Sequence, residues 1–374
     1  MSSDLLKDVL KNINDKYSPE VVDINTFSQP AYTPQNHYLD ISRKPYFNAL
    51  LSLRHIFKQT SDLYWGIERG AMNMDLFMMT PSVSSPMGPG SDSEAIKIKF
   101  GDLETYLVDS SQFGFEPILM NGVDKVYCYL PSMRGEDPDK RHLNQFYHCE
   151  AEIRGTLDDL TPLVEGYVKF IAKTFLSVPN LCNLLSESAE VSKEAITNII
   201  AKENFDRISF DDAATLLTEN GYKDLIISNE FGRVIPGSGE LALMKLLKCK
   251  SPIWLTRFDR DTVAFYQKPD PTDVNKVINA DLLFPPLLEN SFGGEIVGAG
   301  QRQDSSLEMM ESLKRQGLVI DSYQWYADLR DQHGYQTTSG FGLGVERFLT
   351  WILAKDDIKN VIFYPRLKNI HTTP

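Results

Sequence analysis

Phe146-Tyr147-His148-Cys149-Glu150-Ala151-Glu152 is the stretch on which the fold turns. In an extended chain successive side chains point to opposite faces. Phe146, His148, Glu150 and Glu152 then share one face, and Tyr147, Cys149, Ala151 and Ile153 the other. A face carrying a ring, an imidazole and two carboxylates is no ordinary apolar core, because burying unpaired charge is costly. It is either the solvent side of an edge strand or the floor of a site, while the opposite face supplies the packing side. Just upstream lies a charged turn, Asp137-Pro138-Asp139, and before it an apolar strand, Val126 to Leu130. The two strands make a hairpin. Arg134-Gly135-Glu136 and Lys140-Arg141-His142 crowd its tip.

Working outward, Ile96, Ile98 and Phe100 alternate with Lys97 and Lys99, and Tyr106 to Val108 follows as a further strand. Strands return at Ile253 to Phe258, Val263 to Tyr266 and Val361 to Tyr364. Helical periodicity predicts helices near Leu5 to Ile13, Phe47 to Arg69, Leu160 to Ile171, Tyr323 to Asp331 and Leu343 to Leu353. Two more boundaries are marked: Ser209 with Asp212 and then Gly221, and Ser305 with Glu308 and then Gly317. Residues 18 to 45, with Pro19, Pro30, Pro34 and Pro45, read as an extended connection; Ser82 to Glu94 reads as a loop. Strands paired locally with helices to one side predict an α+β antiparallel architecture.

Composition narrows the function classes. The chain has 374 residues, of which 42% are hydrophobic, enough for a large core. A net charge of −13 argues against a broadly basic nucleic-acid face. Cys128, Cys149, Cys182 and Cys249 form no CxxC pair, so neither zinc nor a disulfide framework is expected. With no apolar run long enough to span a bilayer and no signal-like start, a soluble cytoplasmic protein with no membrane partner is expected.

Two glycine-rich stretches complete the chemistry. In Gly293-Gly294-Glu295-Ile296-Val297-Gly298-Ala299-Gly300-Gln301-Arg302, glycines allow close backbone approach to a ligand. Glu295 offers a metal ligand there and Arg302 a carboxylate clamp. Ser339-Gly340-Phe341-Gly342-Leu343-Gly344-Val345-Glu346-Arg347 follows a polar loop and enters a helix. It lacks the lysine of a P-loop. Arg347 on the first helical turn can meet a phosphate or stack on a base.

Taken together, these residues resemble a known family. Arg134-x-Glu136 with Arg141-His142-Leu143 and Phe146 resembles motif 2 of the class II aminoacyl-tRNA synthetases. Gly342-Leu343-Gly344-Val345-Glu346-Arg347 resembles motif 3, and Thr80-Pro81 after the long helix resembles motif 1. The likeness is greatest to the asparaginyl-tRNA synthetases. Leu53-Arg54-His55, Asp109-Ser110-Ser111-Gln112, Gly294-Glu295-Ile296-Val297-Gly298 and Trp325-Tyr326-x-Asp328-Leu329-Arg330 carry it. Periodicity and prolines give an N-terminal helix and connection over 1–45, and the resemblance covers about residue 45 to the end. It implies a catalytic domain over 46–374, within which the residue pattern marks 177–250 as a mainly helical insertion. It also implies ATP and Mg²⁺. Arg134 would hold the α-phosphate and the reacting carboxylate; Phe146 and Arg347 would sandwich the adenine; Glu136 and His142 would line the nucleotide. Asp281 and Glu295 would hold magnesium. Ser110 and Gln112 would face the acid, His148 and Glu150 would lie beneath it, and Arg302 would take its distal oxygen. A homodimer built on motif 1 is likewise implied.

The sequence also departs from the family. Only about 45 residues precede the catalytic region, too few for a five-stranded anticodon-binding barrel. Gln145 stands where the family has Glu, Asp109 where it has Gln, Phe115 where aspartate-binding relatives have Lys, and His148 where relatives have Gln or Met. A family Glu is not evident in Ser84 to Gly90. The expectation is therefore a rebuilt acid pocket on a retained ATP site, similar to the tRNA-independent asparagine synthetase-related paralogues. The favoured reading is an ATP-dependent, AMP-forming ligase that passes an amino-acid-like acyl group to ammonia or a small amine, with His148 either the amine's general base or a structural histidine hydrogen-bonded under the pocket, and tRNA not favoured. The alternatives are an asparaginyl-tRNA synthetase-type enzyme charging tRNA, and a non-catalytic regulatory paralogue.

Overall fold

The computed structural model of the chain describes residues 3–84 and 93–373, with side chains from residue 6 onward. Eight strands form the main sheet: β1 Met72–Asn73, β2 Lys125–Met133, β3 Gln145–Arg154, β4 Asp206–Ser209, β5 Ile253–Thr256, β6 Asn279–Phe284, β7 Gly294–Gln301 and β8 Thr338–Gly344. Their spatial order is β1-β2-β3-β8-β7-β6-β5-β4. The six central strands are antiparallel, and only the outermost pairs, β1 with β2 and β4 with β5, run parallel. In the hairpin Cys128 pairs with Glu150, Leu130 with His148 and Ser132 with Phe146.

That order decides what the polar face of β3 is. β3 lies between β2 and β8, so it is not an edge strand. Its opposite face, Cys149, Ala151 and Ile153, is buried in the main core. There it meets helices α1 Pro45–Asp62, α2 Leu157–Leu176 and α4 Val345–Ile352, with Phe57, Val168 and Phe348 fully buried. Proline opens α1, where its missing N–H costs nothing, and a Thr156–Asp159 capping box opens α2. Each such side chain withdrawn from water contributes roughly 1.5–3 kcal/mol. With helices covering one face, the other is free to carry polar groups.

Several local expectations change. The glycine-rich 339–344, which the sequence reading gave no strand, is most of β8, held between β3 and β7. Glycine's weak strand preference hid this, and pairing on both sides overrides it. Val263 to Tyr266 is not a strand; Phe265 and Tyr266 are buried among Phe113, Tyr323 and Tyr326. Val361 to Tyr364 is not a strand either, since a 3₁₀ turn covers Ile358–Val361. Residues 18–45 include a helix, His37–Arg43, and Leu10, Tyr17 and Phe27 pack into the same core as α1. The segment 177–250 is helical over Pro179–Leu185, Ala189–Ala201, Phe210–Glu219 and Gly237–Leu246, the last called α3 below. It also supplies β4, so it extends the sheet as well as packing beside it. The 82–94 loop falls largely outside the described residues. Cys128, Cys149 and Cys182 are buried free thiols, and burial pushes Cys149 up to about 12. No helix among the described residues is long and apolar enough to cross a membrane.

Candidate active site

On the polar face of the sheet lies a cavity of about 320 Å³, lined by Ser110, Gln112, Arg134, His148, Glu150 and Arg302 among others. Glu150 is its best-held group. Ser110 Oγ donates to one carboxylate oxygen at 2.5 Å and the Ser111 N–H to the other at 2.8 Å. Burial alone raises this carboxyl, but His148 and those two donors outweigh it and keep it below the usual range. The His148 ring sits 2.9 Å from Ser132 Oγ and 3.4 Å from Glu150. At the far end Arg302 donates to both oxygens of buried Glu152, at 2.8 and 2.7 Å. Arg302 therefore reaches the cavity with its charge already matched. Gln112 also faces this space, in contact with Tyr266.

A second, narrower cavity of about 100 Å³ opens beside the first, lined by Glu136, Arg141, His142, Phe146 and Arg347. Arg134, His148 and Glu295 line both. The Arg134 guanidinium carbon lies 5.4 Å from the Phe146 ring centre, and its buried Nε has no hydrogen-bond partner among the described residues. An orphaned buried donor carries a desolvation cost that an anionic ligand would remove. Asn144, which the sequence gave no reason to single out, sets this arginine: its Nδ2 donates to the carbonyls of Arg134 and Glu136, both at 2.8 Å. Glu136 accepts from the Glu94 N–H at 3.2 Å, and the His142 ring is held by Asp139 at 2.9 Å. Arg347, on the first turn of α4, donates to Glu295 at 2.9 Å. Its neighbour Glu346 is structural. It accepts the Tyr147 N–H at 2.8 Å and faces Arg54 at 2.8 Å, joining α4, β3 and α1.

Asp281 and Glu295 stand on adjacent strands. A methyl built at Gly298 would lie 3.5 Å from a Glu295 oxygen and 3.6 Å from an Asp281 oxygen, so both carboxylates reach toward one point. Burial first, then Glu295 and Glu240, push Asp281 well above the usual carboxylate range. Burial also opposes ionisation of Glu295, yet Arg347, Arg134 and Arg141 hold it below that range. Crowded hard oxygen donors of like charge fit a divalent cation. Among the described residues no group of three or more His, Cys, Asp or Glu could hold one. Two carboxylates suit Mg²⁺, which commonly completes its shell with phosphate oxygens and water. Glu240, on α3, was not among the sequence candidates; nothing local marks an acidic residue in a helix first turn as part of a site on a distant strand.

Residues 30–368 match the family described as tRNA synthetases class II (D, K and N). The chain belongs to this family. Class II synthetases of this type are ATP-dependent ligases. The "Asparagine--tRNA ligase" of Thermococcus gammatolerans is 32% identical over 276 residues, covering 73% of this chain and 60% of its own length. The protein of the same name from Desulforamulus reducens is 31% identical over 329 residues, covering 87% of this chain and 70% of its own. Among solved structures, the asparaginyl-tRNA synthetase of Pyrococcus horikoshii complexed with asparaginyl-adenylate superposes with a TM-score of 0.78 at 26% identity. It covers 96% of this chain and 75% of that one. The Entamoeba histolytica enzyme, also with asparaginyl-adenylate, gives 0.75 at 26% identity over 92% of this chain and 73% of its own.

These relatives overturn two expectations: a tRNA-independent ligase using ammonia or a small amine, and tRNA as a disfavoured partner. The physical reason lies in where the departures fall. Asp109 is buried and accepts the Ser84 N–H and hydroxyl, each at 2.9 Å. Phe115 is fully buried against Leu119, Val126 and Cys128. Gln145 lies in a groove with Arg54 and Tyr147, on the far side of the sheet from the acid cavity. Of the four, only His148 lines the cavity. The family Glu missing from Ser84 to Gly90 falls mostly outside the described residues.

Proposed function

We propose that the chain activates asparagine with ATP and passes the asparaginyl group to tRNA. The position of Arg134, where the two cavities meet, carries this reading. A carboxylate in the wide cavity and a phosphate in the narrow one would meet at that guanidinium. One carboxylate oxygen attacks the α-phosphorus, the bond to the bridging oxygen breaks, and pyrophosphate leaves; asparaginyl-adenylate remains. Arg134 offsets the repulsion between the two anions, which is the main barrier to their approach. Phe146 and Arg347 take the adenine, with Glu136 and His142 beside it. Asp281 and Glu295 would hold Mg²⁺, which supplies further charge neutralisation on the phosphates.

Ser110, Gln112, His148 and Glu150 shape the amino-acid end. Because fully buried Glu152 already neutralises Arg302 from behind, the Arg302 end of the wide cavity presents a guanidinium whose charge is matched. An amide oxygen can accept from Arg302, whereas a second carboxylate would find a guanidinium already neutralised by Glu152; asparagine thus fits better than aspartate. The relatives named asparagine–tRNA ligases support the same choice. A pairing of two copies through α1 belongs to this proposal. An open groove of about 780 Å³ runs along α1, bordered by Leu51, Tyr129, Tyr147 and Phe363.

The test is pyrophosphate exchange by the purified protein, followed by charging of tRNA. Exchange that requires asparagine, and asparaginyl-tRNA formed from the product, is the expected result. AMP release driven by a small amine without tRNA, or exchange supported by another acid alone, would overturn the proposal.

A further inference from the structure

The inserted segment 177–250 reaches into the nucleotide cavity through one side chain. We propose that Glu240, on α3, is a positioning residue for ATP: it fixes the Arg141 guanidinium and the Gly294–Glu295 backbone at the rim of the narrow cavity. This makes the insertion a working part of the nucleotide site. The inference rests on the nucleotide reading of that cavity.

Glu240 holds two things at once. One of its oxygens accepts the Glu295 N–H at 3.0 Å and lies 3.7 Å from the Arg141 guanidinium. Glu295 in turn holds Arg347 at 2.9 Å, so one carboxylate is linked to two of the three arginines of the narrow cavity, Arg141 and Arg347. Arg141 is anchored further by donating to the Gly293 carbonyl and by lying over the Phe292 ring, 4.9 Å from its centre.

The placement of Arg141 is otherwise unfavourable. Its guanidinium packs on the start of α3: a methyl built at Gly237 would sit 3.3 Å from Arg141 Cζ. A cation at a helix N-terminus meets the positive end of the helix dipole. Arg347 repels it as well. Without Glu240 the arginine gains by swinging out to water; with it, the guanidinium stays at the rim of the phosphate space. Gly294 shows how closely the parts meet. It has φ +98, and a Cβ there would lie 2.5 Å from Glu240 and 2.8 Å from Arg141. Only glycine lets both charged groups approach that backbone.

The experiment compares wild type, Glu240→Gln, Glu240→Ala, Arg141→Ala and the double variant Glu240→Gln/Arg141→Ala. It reads ATP affinity by calorimetry and the KM values for ATP and asparagine by exchange. Glu240→Gln keeps the volume, and its amide oxygen still accepts the Glu295 N–H, so it folds if Glu240→Ala does not. Removing the charge should weaken ATP binding and raise KM for ATP about tenfold, with KM for asparagine within about twofold. In the Arg141→Ala background Glu240→Gln should add little, because the two act as one unit. A merely structural role would lower both affinities together with the melting temperature. Unchanged ATP affinity in Glu240→Gln, or fully additive losses in the double variant, overturns the proposal. Calorimetry with ATP needs no amino-acid reaction. If wild type shows no exchange with asparagine, the proposed function fails, and the Glu240 proposal is still decided by ATP binding.

Discussion

Replacing Arg302 by Met separates folding from substrate recognition at one position. Arg302 and Glu152 are 4% and 0% exposed and share two hydrogen bonds of 2.8 and 2.7 Å. Removing one member of a buried ion pair leaves the other as an unpaired buried charge and costs about 3–5 kcal/mol. That is a large part of the roughly 5–15 kcal/mol that holds a domain together. The loss should depend on pH. Burial raises the Glu152 carboxyl even with Arg302 beside it, and Arg302 is the chief influence lowering it. Taking Arg302 away moves it further up. A carboxyl whose folded value is raised contributes stability that is fully present below its unfolded value, about 4.3, and is lost as pH rises through the folded value. The deficit of Arg302→Met relative to wild type should therefore be smaller near about pH 5 than near about pH 8. Urea unfolding at both values reads it. Arg302→Met/Glu152→Met, an apolar pair of similar volume, should recover most of the stability. It should not recover asparagine-dependent exchange. A deficit that is equal at the two pH values, or absent, would refute the account of this pair.

Arg134→Ala should lower exchange by about a hundredfold to a thousandfold, the usual loss on deleting one transition-state donor. Unchanged circular dichroism would show that the fold survives, and near-wild-type exchange would remove Arg134 from the junction. Asp281→Asn should raise the Mg²⁺ concentration needed for half-maximal exchange. The raised Asp281 carboxyl also makes metal-free wild type lose stability as pH rises through its folded value. The variant should lack that slope in metal-free melts, and an unchanged slope and Mg²⁺ requirement would clear Asp281 of this role. Leu51, 58% exposed on α1, should lie between two copies. Leu51→Asp should shift sedimentation toward the monomer, and a wild type that is monomeric at all concentrations would remove the pairing.

The sequence by itself determined the local elements and the identities of the chemical groups. Two-residue alternation placed Phe146, His148, Glu150 and Glu152 on one face, and helical periodicity found α1 and α2. These signals were legible because side-chain direction follows from backbone period alone. The glycine-rich 339–344 carried no strand signal for the converse reason. Glycine prefers no local structure, so its strand exists only through pairing with β3 and β7. Tertiary structure alone decided that the polar face of β3 is a cavity floor, since that required a strand on each side and helices beneath. It likewise decided that Asp109 anchors Ser84 and that Phe115 serves packing, leaving His148 as the departure that lines the acid cavity. Asn144, Glu152 and Glu240 acquire their roles from partners such as Arg302, 150 residues away in the chain, or Glu295, 55 away. A charge reveals its function only once folding brings its counter-charge to it, and no local pattern encodes that distance.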